Sequence, residues 1–363
     1  MTSPKPIQFH WRLMERGEPE VRSRSGKNII RTSGTPDFKA QLEFCKLAEE
    51  AGINSLLTAF SFSKPDPTVL GGALLTHADQ IKFLIAMRAG IISPTYFTQQ
   101  INTFSALTNG RVSLNLVAGH SPKEQAYYGD FLSREDRYAR MEEFLAVCHA
   151  FWAEEGPVNF EGQFYQVKDG LLNSEFISDT EKHPYIFISG SSDTARALTI
   201  KYGSCWMQFP NTPEKVEQLI QPVLAAGKEV GLRFCVIARP TREEALQAAS
   251  DLISDLDNEP VEKGGEKKLI QESDANSFKR VNRLAESEWL TPYLWTTPVK
   301  YFGPATQSLV GTPDDIANAI LEYIKIGVTQ FILSGWPKLD EMVYFGKEVL
   351  PIIREKEKNL VYV

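Results

Sequence analysis

Three groups of residues have the types and spacing to do chemistry. The first is Ser189-Gly190-Ser191-Ser192-Asp193-Thr194, a small hydroxyl-rich turn between an apolar run and a helical pattern. At a helix start the backbone N–H groups are unpaired and the dipole is positive, so a phosphate fits there with the serine hydroxyls as extra donors. The dipole contributes only about 0.3–1 kcal/mol, so the hydrogen bonds must set specificity. Ordinary N-capping by Ser or Asp is the competing use of the same residues. The second group is the loop Gly119-His120-Ser121-Pro122. His120 can donate to a ligand or act as acid and base, or it is a plain surface histidine. The third is Arg233, two residues before Cys235 and on the same face of a strand. An arginine directed into a barrel needs an anionic partner, whereas Cys235 reads as a packed thiol. His10, at the end of the first apolar run, suits burial and function equally.

Other chemistries are missing. There is no G-x-S-x-G, no G-x-x-x-x-G-K-[ST] and no close carboxylate pair. The histidines show no H-x-x-x-H and the cysteines no C-x-x-C. No protein-held metal is expected, and the thiols read as buried and reduced in a cytoplasmic protein.

Periodicity gives the elements that must position these groups. Apolar runs at 7–13, 53–60, 81–87, 112–118, 185–189, 205–209, 233–237 and 330–334 read as strands. Helical patterns at 38–51, 69–78, 93–110, 134–152, 193–202, 213–230, 242–256, 313–326 and 339–353 alternate with them. The run 112–118 is nearly all apolar, as burial on both faces requires. Parallel strands with right-handed crossovers close into a (β/α)8 TIM barrel, with an open doubly wound sheet as the alternative. Residues 155–183 break the rhythm as a hairpin-like insertion. A second insertion, 257–309, joins a charged stretch at 262–268 to the aromatics Trp289, Tyr293, Trp295, Tyr301 and Phe302. It is either an active-site lid or a packed structural insertion, and 1–363 is expected to be a single domain. In such a barrel the site lies at the C-terminal ends of the strands. That brings His10 and Arg12, residues 59–66, Arg88, His120, residues 190–193 and Trp336 to one mouth.

The chain has 363 residues, 42% of them hydrophobic and 23% charged, ordinary values for a folded globular protein. Net charge −7 does not favour nucleic acid or an anionic membrane. No apolar run approaches the ~18–20 residues of a spanning helix, and residues 1–12 contain no signal-peptide core.

The stretch 81–90 (IKFLIAMRAG) with Ser93-Pro94-Thr95 resembles the bacterial luciferase-like flavin monooxygenase superfamily. The branch it is most similar to is the two-component FMNH2-dependent alkanesulfonate monooxygenases. Asn109-Gly110-Arg111, residues 115–119 (NLVAG), Arg137-Tyr138, residues 190–193 (GSSD), Val310-Gly311 and Ser334-Gly335 match in family order over nearly the whole chain. The resemblance implies a homodimeric or homotetrameric TIM barrel. It implies reduced FMN delivered by a separate NAD(P)H-dependent flavin reductase, with O2 as co-substrate. The flavin would activate O2 as a peroxyflavin and oxygenate an organic substrate. It places Gly190, Ser191 and Ser192 at the phosphate, and Asp66, Asn115, Ala118 and Tyr138 along the flavin. At Ala118 relatives often carry Thr. His120 and Arg233 would contact substrate or oxygen, while His10 and Trp336 would shape the pocket.

The departures from the branch concern the substrate. The strand-7 Arg-x-His of the alkanesulfonate enzymes reads Arg233-Phe234-Cys235 here. Their lid arginine aligns near Phe302, their tyrosine after strand 8 becomes Trp336, and their loop cysteine aligns near Lys64. Losing an arginine from the sulfonate site leaves an anion poorly paired. The substrate is therefore expected not to be a simple alkanesulfonate. Two alternatives stay open: an F420-dependent oxidoreductase of the same superfamily, and a non-catalytic flavin-binding protein.

Overall fold

The computed structural model describes residues 5–14, 36–179, 181–254 and 272–358. Its strands alternate as a barrel wall must. In β4 (Val112–Val117), Val112, Leu114 and Leu116 face outward into the apolar layer beneath the helices, while Asn115 turns into the barrel mouth. The outer layer is built from aromatics such as Phe9, Phe83, Phe97, Phe144 and Phe331. A smaller apolar plug of Leu57, Leu84, Phe187, Met207 and Ile332 fills the barrel interior.

Eight parallel strands form the ring. They are β1 (Gln8–Arg12), β2 (Ser55–Thr58), β3 (Lys82–Arg88), β4, β7 (Tyr185–Ser189), β8 (Cys205–Gln208), β9 (Glu229–Ala238) and β12 (Gln330–Gly335). Pairing of β8 with β9 closes the ring and rules out the open sheet. Between β4 and β7, β5 (Val158–Glu161) and β6 (Gln166–Gly170) form the antiparallel hairpin of the first insertion. In the second insertion, residues 257–271 lie outside the described residues. The remainder holds helix Asn276–Leu284 and β10 (Leu294–Trp295) and ends within β11 (Ser308–Gly311).

Several boundaries differ from the sequence expectation. Helix Pro213–Ala225 stops five residues before 230, because Gly227 adopts φ +72° and the chain reverses there. Strand β9 starts at Glu229 and runs ten residues. That length serves two neighbours on one side: β8 along its first half and β11 along residues 235–238. Helix Pro67–Leu75 begins before residue 69 because Asp66 caps it, accepting from the Thr68 and Val69 amides at 3.0 and 2.9 Å. The last helical stretch is broken at Phe345–Val349, where Gly346 packs against the Ala51 backbone.

A polar chain threads the barrel floor. Glu229 Oε2 accepts from Gln330 Nε2 at 2.7 Å, so Gln330 turns its Oε1 to His10 Nε2 at 2.8 Å. His10 therefore carries its proton on Nε2, and Nδ1 accepts from the Ser55 hydroxyl at 2.6 Å. Burial pushes the imidazole down to about 4, against the pull of the Gln330 hydrogen bond and Glu229. His149 is likewise lowered to about 4, by burial and then by His183. The unfolded chain, with histidine near 6.5, binds more protons than the folded one between these values. Stability should therefore fall as pH drops below 6.5, by about 2 kcal/mol from His10 alone at pH 5. Urea unfolding at pH 7 and pH 5 checks this; H10Q should lose part of the dependence, and equal stability at both pH values would contradict it.

Candidate active site

A cavity of about 240 Å3 opens at the C-terminal ends of the barrel strands. One wall is the turn after β7. Ser192 caps helix Asp193–Tyr202, its hydroxyl accepting from the Ala195 amide at 3.1 Å. The Gly190 carbonyl is drawn back by Trp206 Nε1 at 2.8 Å and by Gln208 Nε2. Gly190 has φ +149°, and a Cβ there would lie 2.9 Å from Tyr138 Oη and 3.0 Å from Ala195 Cβ. The turn is thus a cradle that a side chain would fill, with the Ser191 side of it facing the cavity. Amides at a helix start, a serine hydroxyl and a phenol hydroxyl make a donor set that suits a phosphate. The residues present fit a phosphate-bearing cofactor.

The adjoining wall comes from β4 and the loop after it. Asn115 accepts from the Ser189 hydroxyl at 2.7 Å through Oδ1, which leaves its NH2 group as the donor toward a ligand. The Ala118 carbonyl accepts from Arg137 Nε at 3.2 Å. His120 lines the cavity with its ring stacked on Phe278, centroids 4.6 Å apart, and its Nε2 is 3.9 Å from Glu124 Oε2.

Glu124 and Arg88 form a buried ion pair, with side chains 3% and 4% exposed. Arg88 also donates to Gln125 Oε1 at 2.7 Å and packs on the contacting rings of Phe60 and Tyr128, 4.9 and 5.5 Å from their centroids. Glu124 Oε1 accepts from the Phe62 amide at 3.0 Å. Burial alone would raise the Glu124 carboxyl, but the Arg88 hydrogen bond and charge, the Phe62 amide and His120 outweigh it and hold it low. This pair ties the loops after β2 and β4 to β3.

The second insertion lies over the same mouth. Ser273 Oγ and the Asp274 amide both donate to the His120 carbonyl, at 2.8 and 3.0 Å. Asp274 pairs with Arg137, which is almost fully buried, at 2.6 Å. On the opposite side Phe302 reaches the cavity and packs on Trp336, centroids 5.5 Å apart.

Of the residues expected from sequence, Asn115, Ala118, His120, Tyr138, Gly190, Ser191 and Arg233 line this one cavity. Four do not. Asp66 is an exposed helix cap and Ser192 is the cap of its own helix. His10 is 6% exposed in the polar chain of the barrel floor. Trp336 stands behind Phe302. Cys235 is buried, its thiol directed at the Ala305 carbonyl at 3.5 Å. Sequence reading missed Glu124, Gln208 and Phe278. The pattern Ser121-Pro122-Lys123-Glu124, a helix start with its acidic third residue, was the available signal for Glu124. Among the described residues no group of three or more His, Cys, Asp or Glu is placed to hold a metal ion, and no helix is long and apolar enough to cross a membrane.

Solved structures share this architecture. EDTA monooxygenase (EmoA) from Chelativorans sp. BNC1 superposes with TM-score 0.75 at 18% identity, covering 97% of this chain and 95% of that one. Long-chain alkane monooxygenase (LadA) gives 0.74 at 16% identity, covering 98% and 92%. An F420-dependent secondary alcohol dehydrogenase gives 0.68 at 18% identity, covering 96% and 100%. At such identities the likeness is one of fold. The family model for luciferase-like monooxygenases matches residues 8–330, from the first barrel strand to the last. With the closed ring and the mouth at its C-terminal end, this match shows that the chain belongs to the luciferase-like monooxygenase family.

Proposed function

We propose that this chain is the oxygenating component of a two-component flavin monooxygenase. It takes reduced FMN from a separate NAD(P)H-dependent reductase and oxygenates an organic substrate with O2. The observation that carries this reading is the Gly190–Ser191 cradle opening into an aromatic-walled cavity of a luciferase-like barrel. Bound there, reduced FMN supplies the electrons and the reactivity toward O2. The chain's own residues do the rest. Ser191, the helix amides and Tyr138 hold the phosphate end, and Asn115 offers its NH2 group to the ring system. His120 holds or passes a proton at Nε2, which stands 3.9 Å from Glu124 Oε2. Phe60, Phe278 and Phe302 wall the cavity and exclude water. Residues 272–309 of the second insertion cover the mouth, and the working form is a homo-oligomer in the cytoplasm.

Phe302 lines the cavity at the position where alkanesulfonate enzymes carry a lid arginine, and Trp336 packs on it. This supports a larger or less anionic substrate than a short alkanesulfonate. The chain loaded with reduced FMN and mixed with aerated buffer should slow flavin reoxidation about tenfold against free flavin. Reoxidation at the free rate in air, together with hydride transfer to or from F420 under anaerobic conditions, would replace this reading with the F420-dependent one.

A further inference from the structure

Helix Asn276–Leu284 of the insertion brings Ser277 and Phe278 to the cavity wall. Arg280 follows Ser277 by three residues, so the two share a helix face. Its guanidinium is half-buried, and Nη2 donates to Gln208 Oε1 at 3.2 Å. Nε is buried with no hydrogen-bond partner, and among the described residues no carboxylate pairs with Arg280. Other arginines differ: the buried Arg88 and Arg137 and the partly buried Arg140 each hold a carboxylate. A cation withdrawn from water without an anion is costly, and burial does lower the Arg280 pKa.

Gln208 indicates where the missing anion belongs. Its carboxamide accepts from Arg280 through Oε1 and donates through Nε2 to the Gly190 carbonyl. Gln208, Gly190, Ser191 and Ser277 all line the one cavity. The guanidinium thus stands one side chain away from the turn whose amides and hydroxyl suit an anion.

We propose that Arg280 is the counter-cation of the phosphate monoester seated at Gly190 and Ser191, so that the insertion supplies part of the cofactor site. This rests on the flavin reading above and extends it to a residue outside the barrel framework. Phosphate binding then also ties the insertion to the barrel.

The test compares reduced FMN with reduced riboflavin, which lacks the phosphate, on the full chain and its R280M and R280K variants. Binding is followed anaerobically by quenching of tryptophan fluorescence, with a thermal melt of each variant to confirm the fold. R280M should raise the Kd of FMN about tenfold or more and leave riboflavin within about twofold. R280K should fall between, because an ammonium keeps the charge but loses the planar fork. If R280M does not fold, the FMN-to-riboflavin ratio of R280K decides alone. Equal loss for both flavins, or no loss for either, overturns the role of Arg280 and leaves the flavin reading standing. A wild-type chain that binds neither flavin removes that reading and the proposal with it.

Discussion

Replacing Arg88 by methionine should destabilise the fold by about 3–5 kcal/mol, the range for stranding one partner of a buried ion pair. The Glu124 carboxylate would remain 3% exposed with only the Phe62 amide and His120 close to it. Gln125 Oε1 would lose its donor, and the contacting rings of Phe60 and Tyr128 would lose the guanidinium packed on them. The double variant R88M/E124Q should recover most of the loss. It removes both charges together and keeps an acceptor for the Phe62 amide. Urea unfolding of wild type, single and double variants measures this. A single variant costing less than about 1 kcal/mol would show the pair to be solvated, contrary to its burial.

Replacing Ser191 by leucine should raise the Kd of reduced FMN about tenfold or more, about 1.4 kcal/mol or greater. The substitution removes a hydroxyl donor from the cavity wall and puts an apolar side chain where the phosphate is expected. Ser192→Ala should act differently, costing about 1 kcal/mol of stability through the lost cap on the Ala195 amide. Anaerobic titration of both variants against wild type separates the two serines. An unchanged Kd in S191L would remove the turn from the cofactor site.

The barrel was legible because its strands are buried on both faces and so form short apolar runs between helical patterns. The run at 112–118 became β4, and the break at 155–183 contains a hairpin. What failed were places where tertiary pairing overrides local pattern. Residues 308–309 close the second insertion by periodicity, yet with 310–311 they form β11, which pairs with the upper half of β9. The start of β9 at Glu229 looks like helix until Gly227 is seen to turn the chain.

The site was legible where glycine, serine and histidine cluster just past a strand, as at Gly190, Ser191 and His120. Ser192 shows the limit of that signal, because a cap and an anion ligand are made by the same residue type, and Asp66, placed along the flavin by the resemblance alone, caps its helix at the surface. His10 was ambiguous for a physical reason. An inward side chain low in a barrel joins the floor, and only three-dimensional depth separates it from the mouth. Phe278 and Arg280 lie in a segment without barrel periodicity, so nothing in the sequence tied them to the turn after β7.

Reduced flavin is proposed to bind in this mouth with its phosphate held past β7. A crystal of the full chain grown or soaked with FMN tests it most directly. One flavin per chain is expected, its phosphate within hydrogen-bonding distance of the Ser191 hydroxyl and the first amides of helix Asp193–Tyr202. A phosphate located elsewhere, or a mouth that takes F420 and leaves FMN unbound, would contradict it.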